Sequence, residues 1–248
     1  MLAARRWGAI CSMPSKRASP RHGGKTRRDS APLTHASTED DRPKLLIVAG
    51  PNGAGKTTVF QSTVVQDFGR AVWIINPDLL AARIRAVESL SIRAANLAAV
   101  RRIETWVKAS LNAHQTIGVE TVLSTPKYRK LVRIAKRKRF EILLFYVLLQ
   151  SPELHVARVH LRVRKGGHDV PVSKILGRRK RSLAQLPWFL QQADKAWLYD
   201  NSGARPHLMG LKQQDQIVLD HRAALPEIRQ IVEQLARKSA IKSKLEVP

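Results

Sequence analysis

Between Gly50 and Thr58 the chain reads GPNGAGKTT, three glycines ahead of a lysine and two hydroxyls in the spacing GxxxxGK[ST]. Such glycines let backbone N–H groups converge on a phosphate, so Gly50, Pro51, Asn52, Gly53, Ala54 and Gly55 suit the β-phosphate of ATP or GTP. Lys56 can reach the β- and γ-phosphates, the Thr57 hydroxyl can ligate Mg²⁺, and Thr58 closes the motif. A helix beginning near Gly55 adds the positive end of its dipole.

Whether the γ-phosphate passes to water or to an acceptor depends on the acids. An acceptor hydroxyl needs a carboxylate nearby to orient it and take its proton. Asp78 follows an apolar run by two residues and is one candidate for this catalytic base; it also suits the first turn of a helix, where the dipole favours an acid. Glu120 ends another apolar run and is followed by Thr121, Ser124 and Thr125. Glu120 and Thr121 are therefore candidates to bind acceptor hydroxyls or the metal's water shell, while a carboxylate held by backbone N–H groups is the plainer reading of Glu120. No apolar run ends in an Asp-Glu pair, and the acids favour transfer over hydrolysis.

Transfer also requires excluded water and neutralised charge. Arg158 and Arg162 share a helix face at i, i+4, and Lys174, Arg178 and Arg181 repeat beyond the turn VRKGGHDVP. Two cationic helices meeting at Gly166-Gly167 can fold over a nucleotide, with Arg178 and Arg179 as the first candidates to reach phosphate and Arg162 next. A merely solvated charged face is the alternative. His168 and Asp169 lack a second histidine or any cysteine at ligand spacing, which argues against zinc there and favours a turn residue or a contact with the acceptor.

These groups need a scaffold that gathers strand ends. Strand-length apolar runs at 44–50, 71–76, 116–121, 140–149 and 195–202 alternate with helical segments at 56–68, 77–113, 127–138, 152–165, 172–193 and 225–239. The near-continuous apolarity suits strands covered on both faces. The alternation predicts an α/β, three-layer fold with a parallel sheet of about five strands flanked by helices. Asn76-Pro77-Asp78 and Ser151-Pro152-Glu153 read as helix starts, and HLMGL with QIVLD as an antiparallel edge hairpin.

Residues 1–42, rich in Arg, Ser, Pro and Gly, read as a disordered basic leader, and 43–248 as one domain with a lid at about 152–193. The single cysteine, Cys11, suits a reducing, cytoplasmic compartment. No apolar run reaches the roughly 20 residues of a membrane span. The net charge of +25 persists as +20 beyond residue 42, since the leader holds nine Lys/Arg and four Asp/Glu. A nucleic-acid partner fits that charge, and so do phosphorylated small ligands; aromatics, at 5 %, offer few surfaces for stacking bases.

GPNGAGKTT, INPD, ETVLST, RVHLRVRKGGHDVP, RRKRSL and ADKAWLYDNSG, in that order, resemble the zeta toxin family of P-loop kinases, in its short single-domain bacterial branch. The resemblance covers about 44–203. It implies an adenylate-kinase-like core and transfer of the ATP γ-phosphate to a sugar hydroxyl, as in members acting on the 3′-hydroxyl of UDP-N-acetylglucosamine, and a small antitoxin partner that blocks the ATP site. By motif position Lys56 matches the phosphate-binding lysine, Thr57 the Mg²⁺ ligand, Asp78 the base and Glu120 a substrate-side acid. Around GGHDVP and RRKRS the spacing departs from the toxin proper, so Arg162, Arg178 and Arg179 are candidates by position only. A polynucleotide or nucleoside kinase, or an ATP-gated nucleic-acid-binding protein, are the competing functions.

Overall fold

The computed structural model describes residues 42–63, 74–167 and 169–245. The leader expected at 1–42 therefore lies, but for Arg42, outside the described residues, as do His168 and the parts of two expected elements that fall in 64–73.

Five strands form the parallel part of one sheet: β1 (Lys44–Ala49), β2 (Ile74–Ile75), β3 (Ile117–Thr121), β4 (Glu141–Leu148) and β5 (Lys195–Asp200). An antiparallel hairpin, β6 (His207–Gln213) and β7 (Gln216–Leu219), extends the β5 edge, giving the order β2-β3-β1-β4-β5-β6-β7. The chain leaves β1 toward one edge and later returns to β4 on its other side, so a crevice opens at the carboxyl end of β1. The register brings Ala49 beside both Thr121 and Tyr146, so β3 and β4 frame that crevice.

Alternate residues of the central strands serve different faces. Leu45, Ile47, Leu144, Tyr146 and Leu148 pack in the larger core, whereas Leu46, Val48, Leu143, Phe145 and Val147 pack on the other face with Val59. Burial on both faces explains why β4 reads as eight apolar or shielded residues without alternation. Around the sheet run α1 (Lys56–Thr63), α2 (Pro77–Glu88), α3 (Ile92–Asn112), α4 (Lys127–Arg137), α5 (Pro152–Arg164), α6 (Val172–Gln192) and α7 (Pro226–Leu245). Among the described residues no helix is long and apolar enough to cross a membrane.

One expectation of the fold is corrected. The helix expected over 77–113 is two helices, because Ser89 takes a left-handed conformation at φ 51° and the Ser91 hydroxyl accepts the Ala94 N–H as a new N-cap. The two then pack through Ala81, Ile84, Ala95 and Ala99. The far end of the segment expected as a lid, 152–193, packs into the main core. Leu186, Phe189 and Leu190 of α6 belong to the main core, and Ser182 hydrogen-bonds Tyr146 at 3.0 Å. Only α5 and the first half of α6 share a separate apolar cluster, built on Val159, Val170 and Ile175.

The turn between α5 and α6 follows the sequence closely. Gly166 takes φ +85°, and a Cβ on Gly167 would meet Arg162 Cγ at 2.6 Å, so one glycine makes the bend and the other leaves room for the arginine. Pro171 then precedes the first turn of α6.

Candidate active site

The glycine-rich loop fills the crevice at the end of β1. Gly50, Gly53 and Gly55 all have positive φ, and a Cβ on Gly50 would lie 2.1 Å from the Val147 carbonyl oxygen. A Cβ on Gly53 would meet the His155 carbonyl oxygen at 2.6 Å, so α5 lies directly over the loop. The loop is thereby fixed between β4 and α5 and has no room for side chains at these points.

Its supports come from three distant elements. The Gly50 N–H donates to the Thr121 carbonyl at 3.2 Å. Asn201, just past β5, donates from Nδ2 to the Ala54 carbonyl at 2.9 Å. His155, fully buried, places Nδ1 2.8 Å from the Asn52 carbonyl and Nε2 3.3 Å from the Leu149 N–H. These partners select one neutral tautomer, with the proton on Nδ1. Burial pushes His155 down to about 4, against the hydrogen bond to Asn52. Its folded value lies below the unfolded one, so its stabilisation is complete above about 6.5 and is lost as pH falls toward 4. From pH 7 to pH 5 this group is expected to cost about 2 kcal/mol. Urea unfolding at the two pH values checks this, with His155→Asn showing a correspondingly smaller difference.

Lys56 is buried, and its Nζ donates to the Pro51 carbonyl at 3.3 Å and lies 3.7 Å from Glu120 Oε1. Desolvation lowers its pKa most, the charges of Glu120 and Asp78 oppose that, and Arg162 adds to the lowering. Lys56, Glu120, Asp78 and Arg162 thus form one electrostatic neighbourhood. Glu120 Oε2 accepts from the Thr57 hydroxyl at 2.9 Å and from Asn76 Nδ2 at 2.9 Å. Asn76 Oδ1 meanwhile accepts the Asp78 N–H at 2.9 Å and the Leu79 N–H at 3.2 Å. One amide therefore caps α2 and ties the helix carrying Asp78 to the acid beside the loop.

The remaining candidates divide. Arg178 reaches the loop, its Nη1 3.3 Å from Asn52 Oδ1. Arg179 does not: it is buried, with Nη2 2.7 Å from Glu227 of α7 and 3.4 Å from the Leu149 carbonyl. The expectation that it would reach phosphate is corrected by that ion pair, which directs it into the core beneath α7. Thr121 is buried and its hydroxyl accepts the Leu123 N–H at 3.0 Å, holding the turn after β3. Thr57 and Thr58 are exposed. Arg158, not singled out for the loop from sequence, donates to the Ser202 carbonyl at 3.2 Å, and its Nη1 lies 3.9 Å from where a Gly55 Cβ would stand.

A cleft of about 420 Å³ opens beside Asp78, between α2, α3 and the α5–α6 turn. Asp78 and Arg85 of α2, Asn96 of α3, and Gly166, Gly167 and Asp169 of the turn line it, with alanines between them.

A phosphate-binding loop at the centre of a β2-β3-β1-β4-β5 parallel sheet, roofed by a cationic helix, defines the P-loop kinase class. Within that class the chain belongs to the zeta toxin family, whose model matches residues 30–203.

Solved structures agree on the fold. A chain of AvrRxo1-ORF1:-ORF2 with ATP superposes with a TM-score of 0.58 at 13 % identity, over 73 % of this chain and 61 % of that one. A chain of the PezAT chromosomal toxin-antitoxin system of Streptococcus pneumoniae does so with 0.52 at 19 % identity, over 82 % of each. This chain thus spans about three-fifths of the AvrRxo1 chain but most of the PezAT one. An uncharacterized protein of Haemophilus influenzae is 28 % identical over 129 residues, 51 % of this chain and 86 % of that one. Family and fold together make the chain an ATP-dependent P-loop kinase.

Proposed function

We propose that the chain moves the γ-phosphate of ATP to a hydroxyl of a small acceptor seated in the cleft beside Asp78, and that this acceptor is a nucleotide sugar such as UDP-N-acetylglucosamine. The observation that supports the reading is an exposed carboxylate, Asp78, at the edge of this cleft, on a helix tied to the phosphate loop through the Asn76–Glu120–Thr57 hydrogen bonds. Arg85 of α2 and Asn96 of α3, which also line the cleft, suit the charged and hydroxylated parts of such an acceptor.

The loop from Gly50 to Thr58 holds the triphosphate, with Lys56 directed at its outer phosphates. Asp78 takes the proton of the acceptor hydroxyl as its oxygen bonds to the γ-phosphorus and ADP departs. Arg178 and Arg162, on the helices above the loop, neutralise charge on the transferring group. Glu120 holds Lys56 and orients Thr57. A hydroxyl and a carboxylate oxygen 2.9 Å apart fit the hard, oxygen-preferring Mg²⁺, which binds proteins through one or two such groups beside substrate phosphates. Bound there, the ion would offset negative charge on the β- and γ-phosphates.

GTP in place of ATP would use the same loop, whose backbone N–H groups meet the phosphates and not the base. The toxin-antitoxin setting of the PezAT neighbour supports a protein partner, with the chain as the toxin of the pair.

The acceptor is tested by incubating the protein with γ-labelled ATP, Mg²⁺, a set of UDP-sugars and 5′-hydroxyl oligonucleotides. Label on a UDP-sugar is expected. Label on the oligonucleotide alone would replace this acceptor with a polynucleotide end.

A further inference from the structure

Lys127 to Arg139 reads KYRKLVRIAKRKR, eight cations in thirteen residues with no acid. The apolar members of α4 are spent on the core, for Tyr128, Leu131, Val132 and Ala135 are all buried. Lys130, Arg133 and Arg137 stand exposed at i, i+3 and i+7, a ridge about 10 Å long. Among the described residues no carboxylate lies within ion-pair distance of these three. Like charges stacked on one helix repel, and the phosphotransfer reaction makes no use of them, since none lines the cleft or the loop.

The neighbouring helix holds part of this face in place. The guanidinium groups of Arg129 and Arg133 lie 5.0 Å and 5.5 Å from the centre of the Trp188 ring of α6. Arg129 Nε donates to Gln185 Oε1 at 3.0 Å, and Lys136 Nζ donates to the Gln192 carbonyl at 3.1 Å. Three rungs thus join α4 to a stretch of α6, SLAQLPWFLQQ, that contains no acid. Side chains ordered beforehand lose less freedom when a partner arrives.

We infer that the α4–α6 face docks nucleic acid through its phosphate backbone, at a site separate from the ATP loop and the acceptor cleft. The ridge matches the charge of a duplex, which presents one phosphate per roughly 1.7 Å of axis, and docking releases condensed counterions. Recognition is of backbone and not of bases, because Trp188 is already covered by two arginines and is not open for stacking. An anionic bilayer is the poorer match: the apolar side of α4 faces the core, leaving no wedge to enter the acyl boundary.

The test is fluorescence anisotropy with a labelled DNA duplex of arbitrary sequence, about two helical turns or roughly 20 bp, titrated with the full chain at several salt concentrations without ATP. Binding is expected whose log K falls linearly with log salt. The triple variant Lys130→Gln, Arg133→Gln, Arg137→Gln is expected to bind at least about 10-fold more weakly at low salt and to lose about 3 from the slope. Glutamine is a good helix former on an exposed face, so circular dichroism and ATP binding should be unchanged. A labelled single-stranded RNA losing affinity in the same variant supports backbone recognition. Three results would overturn the inference: no duplex binding by the unaltered chain at low salt, equal affinity and slope in the triple variant, or tighter binding to phosphatidylglycerol vesicles than to the duplex.

Discussion

Asp78→Asn is expected to lower kcat for phosphotransfer by about 10²–10⁴-fold, the usual contribution of a positioned general base. Asparagine keeps the size and the hydrogen-bonding edge of the side chain but accepts no proton. The Asn76 cap, which acts on the backbone N–H groups of residues 78 and 79, is untouched. Asp78 is exposed, so the loss of its favourable interaction with the helix dipole costs only about 0.3–1 kcal/mol. ATP affinity should hold or rise, since removing a negative charge near Lys56 favours an anionic ligand. Steady-state kinetics paired with an ATP binding isotherm separates these effects. Unaltered phosphotransfer with intact ATP binding would remove Asp78 from the chemistry.

Lys56→Met is expected to lower kcat by about 10²–10³-fold, the range seen when one preorganised charge-stabilising donor is lost. Methionine fills a similar volume, which matters because Lys56 is 8 % exposed and a small residue would leave a cavity. Burial pushes the Lys56 amine down, and the charges of Glu120 and Asp78 oppose that. Removing the cation leaves Glu120 with its Thr57 and Asn76 hydrogen bonds but without its ion pair. Weaker ATP binding should therefore accompany the fall in kcat, in contrast to Asp78→Asn. A variant that bound ATP normally and turned over at the original rate would remove Lys56 from the phosphate site.

What could be read from sequence was whatever is encoded locally. The phosphate loop is one such feature, because its conformation follows from closely spaced glycines, and so are the starts of α2 and α5, where a cap, a proline and an acid stand in a row. The break at Ser89–Ser91 escaped because apolar residues continue on either side and neither serine demands a turn by type. Arg178 and Arg179 show a different limit. Adjacent helical residues point about 100° apart, so only one of them faces the loop. The signal was present: Ile175, Arg179, Ser182, Leu186 and Phe189 fall on one buried stripe, which assigns Arg179 to the core side. His155 and Asn201 gave no comparable sign. Their partners, the carbonyls of Asn52 and Ala54, are 103 and 147 residues away and meet them only when the sheet is assembled.

Transfer to a hydroxyl, and not to water, is the central claim, and acceptor dependence of ATP consumption tests it most directly. In a single-turnover reaction with γ-labelled ATP and Mg²⁺, label should stay on ATP without acceptor and move to the sugar when UDP-N-acetylglucosamine or its effective counterpart is added. Release of labelled inorganic phosphate at the same rate with and without every acceptor would contradict it, and would make the site a hydrolase.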